Sequence, residues 1–131
     1  MRMLKPRDLP PLSEAQLEIM NIVWLAGECS VADVLEQLST RRTVTRNTVQ
    51  TMLSRLDEKG WLIHRDDGGT FIYRTSVPRE RVQQQRLEQV VETVFDGSTA
   101  GILMALLKDS TLTSDEANRI RKMIDHAEKR P

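Results

Sequence analysis

Apolar positions in the first sixty residues recur at the spacing of helix faces, in successive blocks. In the first block Leu17, Met20 and Trp24 share a face, with Ile19 and Val23 beside them. Ser13 opens it, Gln16 completes a capping box, and Gly27 stands where a C-terminal cap belongs. In the second, Val31, Val34, Leu35 and Leu38 fill the i, i+3, i+4, i+7 template behind Ser30, with Asp33 in the first turn. Residues 39–44 are polar and read as a connection. The third block repeats the template with Val49, Met52, Leu53 and Leu56, between Thr45 as cap and Gly60 as stop.

The pattern then changes period. Trp61–Arg65 and Thr70–Thr75 are rich in aromatic and β-branched residues, and Asp66-Asp67-Gly68-Gly69 lies between them. This predicts a β-hairpin with a glycine turn. A lone hairpin is not stable, so it must lean on the helices, through Trp61, Ile63 or Phe71. Helices that each carry one apolar stripe share a core. The expected fold is mainly α with a small β-hairpin: a winged helix-turn-helix over residues 12–76, behind a flexible arm over residues 1–11.

Beyond Ser76 the helical period returns, and residues 77–131 read as a helical dimerisation region. A helix from about Pro78 to Phe95 carries Leu87, Val90, Val91, Val94 and Phe95 as its stripe. Asp96-Gly97 breaks it, and Ser98 caps a short helix. That helix contains Ile102, Leu103, Met104, Ala105, Leu106 and Leu107, apolar on every side. One neighbouring helix cannot satisfy such a segment, which points to a second copy of the chain, the alternative being a buried role within one chain. Thr113 with Glu116 starts the last helix, whose inner side carries Ala117, Ile120, Ile124 and Ala127.

Charge narrows the function. The 131 residues carry 19 Lys+Arg and 19 Asp+Glu, and the signs balance on both sides of Thr75. Any nucleic-acid footprint is therefore local. Between Arg41 and Leu56 there is no acid. With the apolar stripe of the third helix turned inward, Asn47, Gln50, Thr51 and Ser54 point outward. Thr48 and Arg55 flank them on one side and Arg46 on the other. Amides and hydroxyls bond base edges in a major groove, and cations meet phosphates. Thr45, Arg41 and Arg42 at the helix entrance, and Lys59, Arg65 and Arg74 toward the wing, complete the expected contacts with double-stranded DNA. The acidic wing tip, Asp66-Asp67, opposes phosphate.

The segment LSEAQLEIMNIVWLAGECSVADVLEQL, continuing through TVTRNTVQTMLSRLDEKGWLIHRDDGGTFIYRTSV and resumed at STAGILMALLKDSTLTSDEANRIRKMID, resembles the penicillinase-repressor family. These regulators of β-lactamase and methicillin resistance share a broader group with copper-responsive repressors. The resemblance implies a homodimeric repressor on an inverted-repeat operator. It also implies relief by proteolysis in the dimerisation segment, with a membrane sensor-protease as the partner that triggers it. Ala105-Leu106 stand where the penicillinase and methicillin repressors carry their cleaved Asn-Phe pair. Cys29 is the only cysteine, so the cysteine cluster of the copper-responsive members is absent and no cofactor is expected.

No catalytic constellation forms from these residues. His64 lies in the hairpin and His126 near the C-terminus, both read as surface residues, and Cys29 reads as a small buried side chain. A lone cysteine fits a reducing compartment. No stretch has signal-peptide character or ~18 consecutive apolar residues, so the expectation is a cytoplasmic protein without membrane insertion. The competing expectation is a winged helix that binds a protein instead of DNA.

Overall fold

The computed structural model describes residues 8–130. The chain forms α1 (Glu14–Ala26), α2 (Val31–Ser39), α3 (Arg46–Glu58), β1 (Leu62–Asp67), β2 (Thr70–Thr75), α4 (Arg79–Thr93), α5 (Thr99–Lys108) and α6 (Ser114–Glu128). The order is that of a winged helix followed by further helices. Each early helix starts where a side chain accepts from an orphan backbone N–H. Ser13 Oγ accepts from Gln16 N, Ser30 Oγ from Asp33 N, and Thr45 Oγ1 from Thr48 N. Gln16 and Asp33 each return the bond to the cap's own N–H. Such caps contribute about 1 kcal/mol each.

The core gathers one stripe from each of α1, α2 and α3. Ile19, Met20, Val23, Val34, Leu38, Val49, Leu53 and Leu56 are fully buried. Leu17, Trp24, Leu35 and Met52 are partly buried and pack against this cluster. Burial of each such aliphatic side chain stabilises by about 1.5–3 kcal/mol, more than the cap that starts its helix.

The hairpin pairs antiparallel from Leu62 with Thr75 to Asp67 with Thr70. Asp66 and Asp67, expected in the turn, lie in β1, so the turn is the pair Gly68-Gly69 alone. Both glycines have positive φ, 61° and 92°, as a two-residue hairpin turn of primed type requires. The hairpin seats itself with Trp61, Leu62 and Tyr73, which are buried, whereas Ile63 and Phe71 stay exposed. Of the three anchors expected as alternatives, Trp61 is the one used, and Ile63 and Phe71 are not. Ile63 belongs to the outer face of the ribbon, and Phe71 shares Tyr73's face but lies farther out, past the edge of the core. Tyr73 also pairs with Cys29 through two backbone hydrogen bonds, Cys29 N to Tyr73 O at 2.9 Å and Tyr73 N to Cys29 O at 2.8 Å.

Residues 1–7 of the arm expected over 1–11 lie outside the described residues. From Leu9 onward the chain packs on the core. Pro10 O accepts from Trp61 Nε1 at 2.8 Å. Leu9 Cδ2 would stand 3.1 Å from a Cβ on Gly60, whose φ is 92°, so a larger residue there is strained and crowded. At the other end the first compact unit runs through Glu88, not Ser76. Val77 and Val82 are buried in its core, and Trp24 Nε1 donates to Val77 O at 2.8 Å. The second unit begins at Gln89 and holds the end of α4 with α5 and α6.

Cys29 is 2 % exposed. Burial, with Asp33 nearby adding to it, pushes its thiol up from the ordinary value near 9. The folded state thus prefers the neutral thiol, while the unfolded chain ionises at the ordinary value. The resulting stability is fully present below that value and lost as pH rises through the raised one. Urea titrations of wild type and Cys29→Ser should therefore keep a constant difference below about pH 8 and converge above it. Parallel curves across that range would show that Cys29 is not protected as described.

Candidate nucleic-acid interface

The third helix presents two faces of opposite character. Val49, Leu53 and Leu56 are buried, and Arg46, Asn47, Gln50, Thr51 and Arg55 are exposed on the other side. Thr45 and Thr48 sit at the start, their hydroxyls 3.0 Å apart. Ser54 is half-buried and its hydroxyl accepts from Gln50 Nε2 at 3.3 Å. Asn47, Gln50 and Thr51 face outward along one side of α3 as expected, and Ser54 lies on the same side but partly covered.

A groove of about 420 Å³ runs beside this face. Arg46 and Gln50 of α3 form one wall, Ser30, Val31 and Ala32 at the start of α2 another, and Gly69, Thr70 and Phe71 of the wing the third. Sequence patterning did not place the start of α2 or Phe71 at this face. Their apolar or capping character has a local explanation, and only the folding of the wing over α2 brings them beside Gln50.

The cations divide into two sets. Arg46, Arg55, Lys59 and Arg74 are exposed and make no ion pair among the described residues. Arg41, Arg42 and Arg65 are paired. Arg42 Nη2 lies 2.7 Å and Arg41 Nη1 3.6 Å from the carboxylate of Glu18 on α1. Arg65 Nε donates to Glu28 Oε2 at 3.0 Å, and Asp67 lies 3.9 Å from its Nη1. The Glu28 hydrogen bond pushes the Arg65 pKa up from its already high value. Glu18 and Glu28 were not legible as partners, because they lie far from these arginines along the chain.

Two acids near the face are also engaged. Asp57, at the end of α3, meets His64 Nδ1 of β1, and His64 stacks on Phe71 with centroids 4.4 Å apart. His64 therefore ties the wing to α3 instead of standing alone on the surface. Asp66 Oδ1 accepts from Gly69 N at 2.7 Å, which occupies one acid of the wing tip in its own turn.

The side chains expected to join two chains are mostly uncovered. On α4, Leu87, Val90 and Val94 are exposed, while Val91 and Phe95 are half-buried. On α5, Ile102 is buried, but Leu103, Ala105, Leu106 and Leu107 are exposed, with Leu106 at 60 %. On α6, Ile120 is half-buried and Ile124 exposed. Among the described residues no His, Cys, Asp or Glu cluster is arranged to hold a metal ion, and no helix is long and apolar enough to cross a membrane.

The sequence profile of the penicillinase repressor family matches residues 12–126. The penicillinase repressor of Bacillus licheniformis is 25% identical over 124 residues, covering 95% of this chain and 97% of its own. The methicillin resistance regulatory protein MecI of Staphylococcus aureus strain N315 is 22% identical over 114 residues, covering 87% and 93%. The solved DNA-binding domain of the repressor BlaI superposes with a TM-score of 0.51 at 33% identity, over 60% of this chain and 93% of that one. With its helices, antiparallel wing and this match across nearly its whole length, the chain belongs to the penicillinase repressor family of winged-helix, DNA-binding transcriptional repressors.

Proposed function

We propose that the chain is a dimeric repressor that binds an inverted-repeat operator with α3 in the major groove and the wing along the backbone. The observation that carries this is the outer face of α3. It is exposed, rich in amides and hydroxyls, free of acid from Arg46 to Leu56, and walled by the wing. The DNA-binding domain of BlaI, 33% identical to this chain, supports the same use. Asn47, Gln50, Thr51 and Ser54 read base edges, and Arg46, Arg55, Lys59 and Arg74 meet phosphates. Retention on duplex DNA that weakens steeply with salt tests the function as a whole. No binding to any duplex at low salt would favour a protein-binding winged helix.

Roles within the face separate by sequence dependence. Gln50→Ala and Asn47→Ala should cost about 1–3 kcal/mol on the operator and little on scrambled duplex. Arg46→Ala should weaken both alike. Equal losses on both duplexes for Gln50→Ala would remove it from base readout.

The dimer is supported by what a single chain leaves in water. Leu87, Val90, Val94, Leu103, Met104, Leu106, Leu107 and Ile124 are all large apolar side chains at least 38 % exposed. A second copy would cover such surfaces on a two-fold axis and offer two recognition helices to two half-sites. Leu103→Asp or Leu107→Asp should dissociate the dimer, because a charge would be buried in an apolar contact. The winged helix should keep its circular dichroism. Sedimentation of an unchanged dimer would take α5 out of the interface and leave it to the Leu87–Phe95 stripe of α4.

Induction follows from the same surface. A cut at or near Ala105-Leu106 in α5 would break the dimer without touching α3, and loss of the second half-site would release the operator. A membrane sensor-protease is the partner this requires. The bond lies in a helix, so the segment must unwind locally before cleavage. Blotting the native host after β-lactam exposure should show a fragment ending near Ala105. Derepression with the chain intact would assign induction to another device.

A further inference from the structure

Glu18 is the carboxylate that pairs with the basic entrance to α3. It projects from α1 toward Arg41 and Arg42, the two cations that precede the recognition helix. Glu18 Oε1 lies 2.7 Å from Arg42 Nη2, and Glu18 Oε2 lies 3.6 Å from Arg41 Nη1. Oε1 is shielded from solvent and makes no aligned hydrogen bond. The contact is therefore a Coulomb pair and not a fork that locks either guanidinium. The side chains of Arg41 and Arg42 remain 63 % and 46 % exposed, against 25 % for Glu18. The cleft they share, with Glu14 and Asn21 on its walls, is open to solvent.

We infer that Glu18 competes with DNA phosphate for Arg41 and Arg42, and so sets the sequence-independent part of the affinity. The inference rests on the DNA-binding function proposed above. In the free protein one carboxylate offsets two cations, consistent with a chain of zero net charge. On a duplex, a phosphate offers each guanidinium aligned, charge-assisted bonds that Glu18 does not. The exchange costs the two Coulomb pairs, and that cost falls equally on every sequence. A carboxylate at this position restrains unproductive binding to bulk DNA while leaving base discrimination to α3.

The test compares the full-length chain with Glu18→Gln and Glu18→Ala on operator and scrambled duplex across a salt series. Both variants should bind both duplexes roughly three- to tenfold more tightly at low salt, with the ratio between duplexes unchanged. The gain should vanish in an Arg41→Ala/Arg42→Ala background. Circular dichroism should stay that of wild type, since both arginines of the pair stand largely in water and such pairs contribute little to stability. Unchanged or weaker binding would overturn the inference and make Glu18 a residue that orders the arginines for contact. A gain that survives without the arginines would also overturn it, as a general effect of removing a negative charge. Wild type that binds no duplex at low salt would sink the DNA-binding function itself, and this inference with it.

Discussion

The hairpin is held to the helices by Tyr73. Its ring is buried in the core, and its backbone closes two hydrogen bonds with Cys29 in the turn between α1 and α2. A buried aromatic ring removes about 150–250 Å² from water, worth several kcal/mol at about 25 cal/mol per Å². Each hydrogen bond contributes only about 0.5–1.5 kcal/mol net. The ring supplies the energy and the paired backbone supplies the register. Everything functional about the wing depends on this attachment. It brings Arg65 to Glu28, His64 to Asp57, and Gly69–Phe71 to the groove beside Gln50. A register slip of one residue would turn all of these to the opposite face.

The electrostatic design is local. A neutral chain cannot attract DNA through its net charge, so attraction must come from where individual charges stand and which are already occupied. On α3 the acids are kept to the C-terminal end, and one of them, Asp57, is engaged by His64. The cations without an ion pair among the described residues, Arg46, Arg55, Lys59 and Arg74, lie on α3, at its end and on the wing. The paired ones, Arg41, Arg42 and Arg65, each answer to a glutamate from α1 or from the turn that follows it. Glu18 of α1 and Glu28 just after it thus occupy cations that the sequence placed beside α3 and the wing.

The two compact units differ in how far they satisfy themselves. The first closes a core in which most apolar side chains of α1, α2 and α3 are covered. In the second only Ile102 is buried among the large apolar residues of α5 and α6. Family membership gives this difference a context, since the match extends from the winged helix through residue 126.

What could be read in the sequence was what depends on near neighbours. Ser13, Ser30, Thr45, Ser98 and Thr113 cap their helices because an N–H two or three residues away is always within reach. The stripe of α3, and hence its polar outer face, follows from the helical period alone. The hairpin was legible too, but not its seat. Of the three anchors offered, Trp61, Ile63 or Phe71, only Trp61 is buried, because alternation carries no measure of how far the core reaches along a ribbon. Likewise Val77 and Val82 were assigned past the winged helix and lie buried in its core. The partners of Arg41, Arg42 and Arg65 were beyond reach for the same reason. A charge pair between α1 and a distant turn has no period and no fixed spacing, and it exists only because the packing of α1, α2 and the wing brings Glu18 and Glu28 within a few ångströms of those arginines.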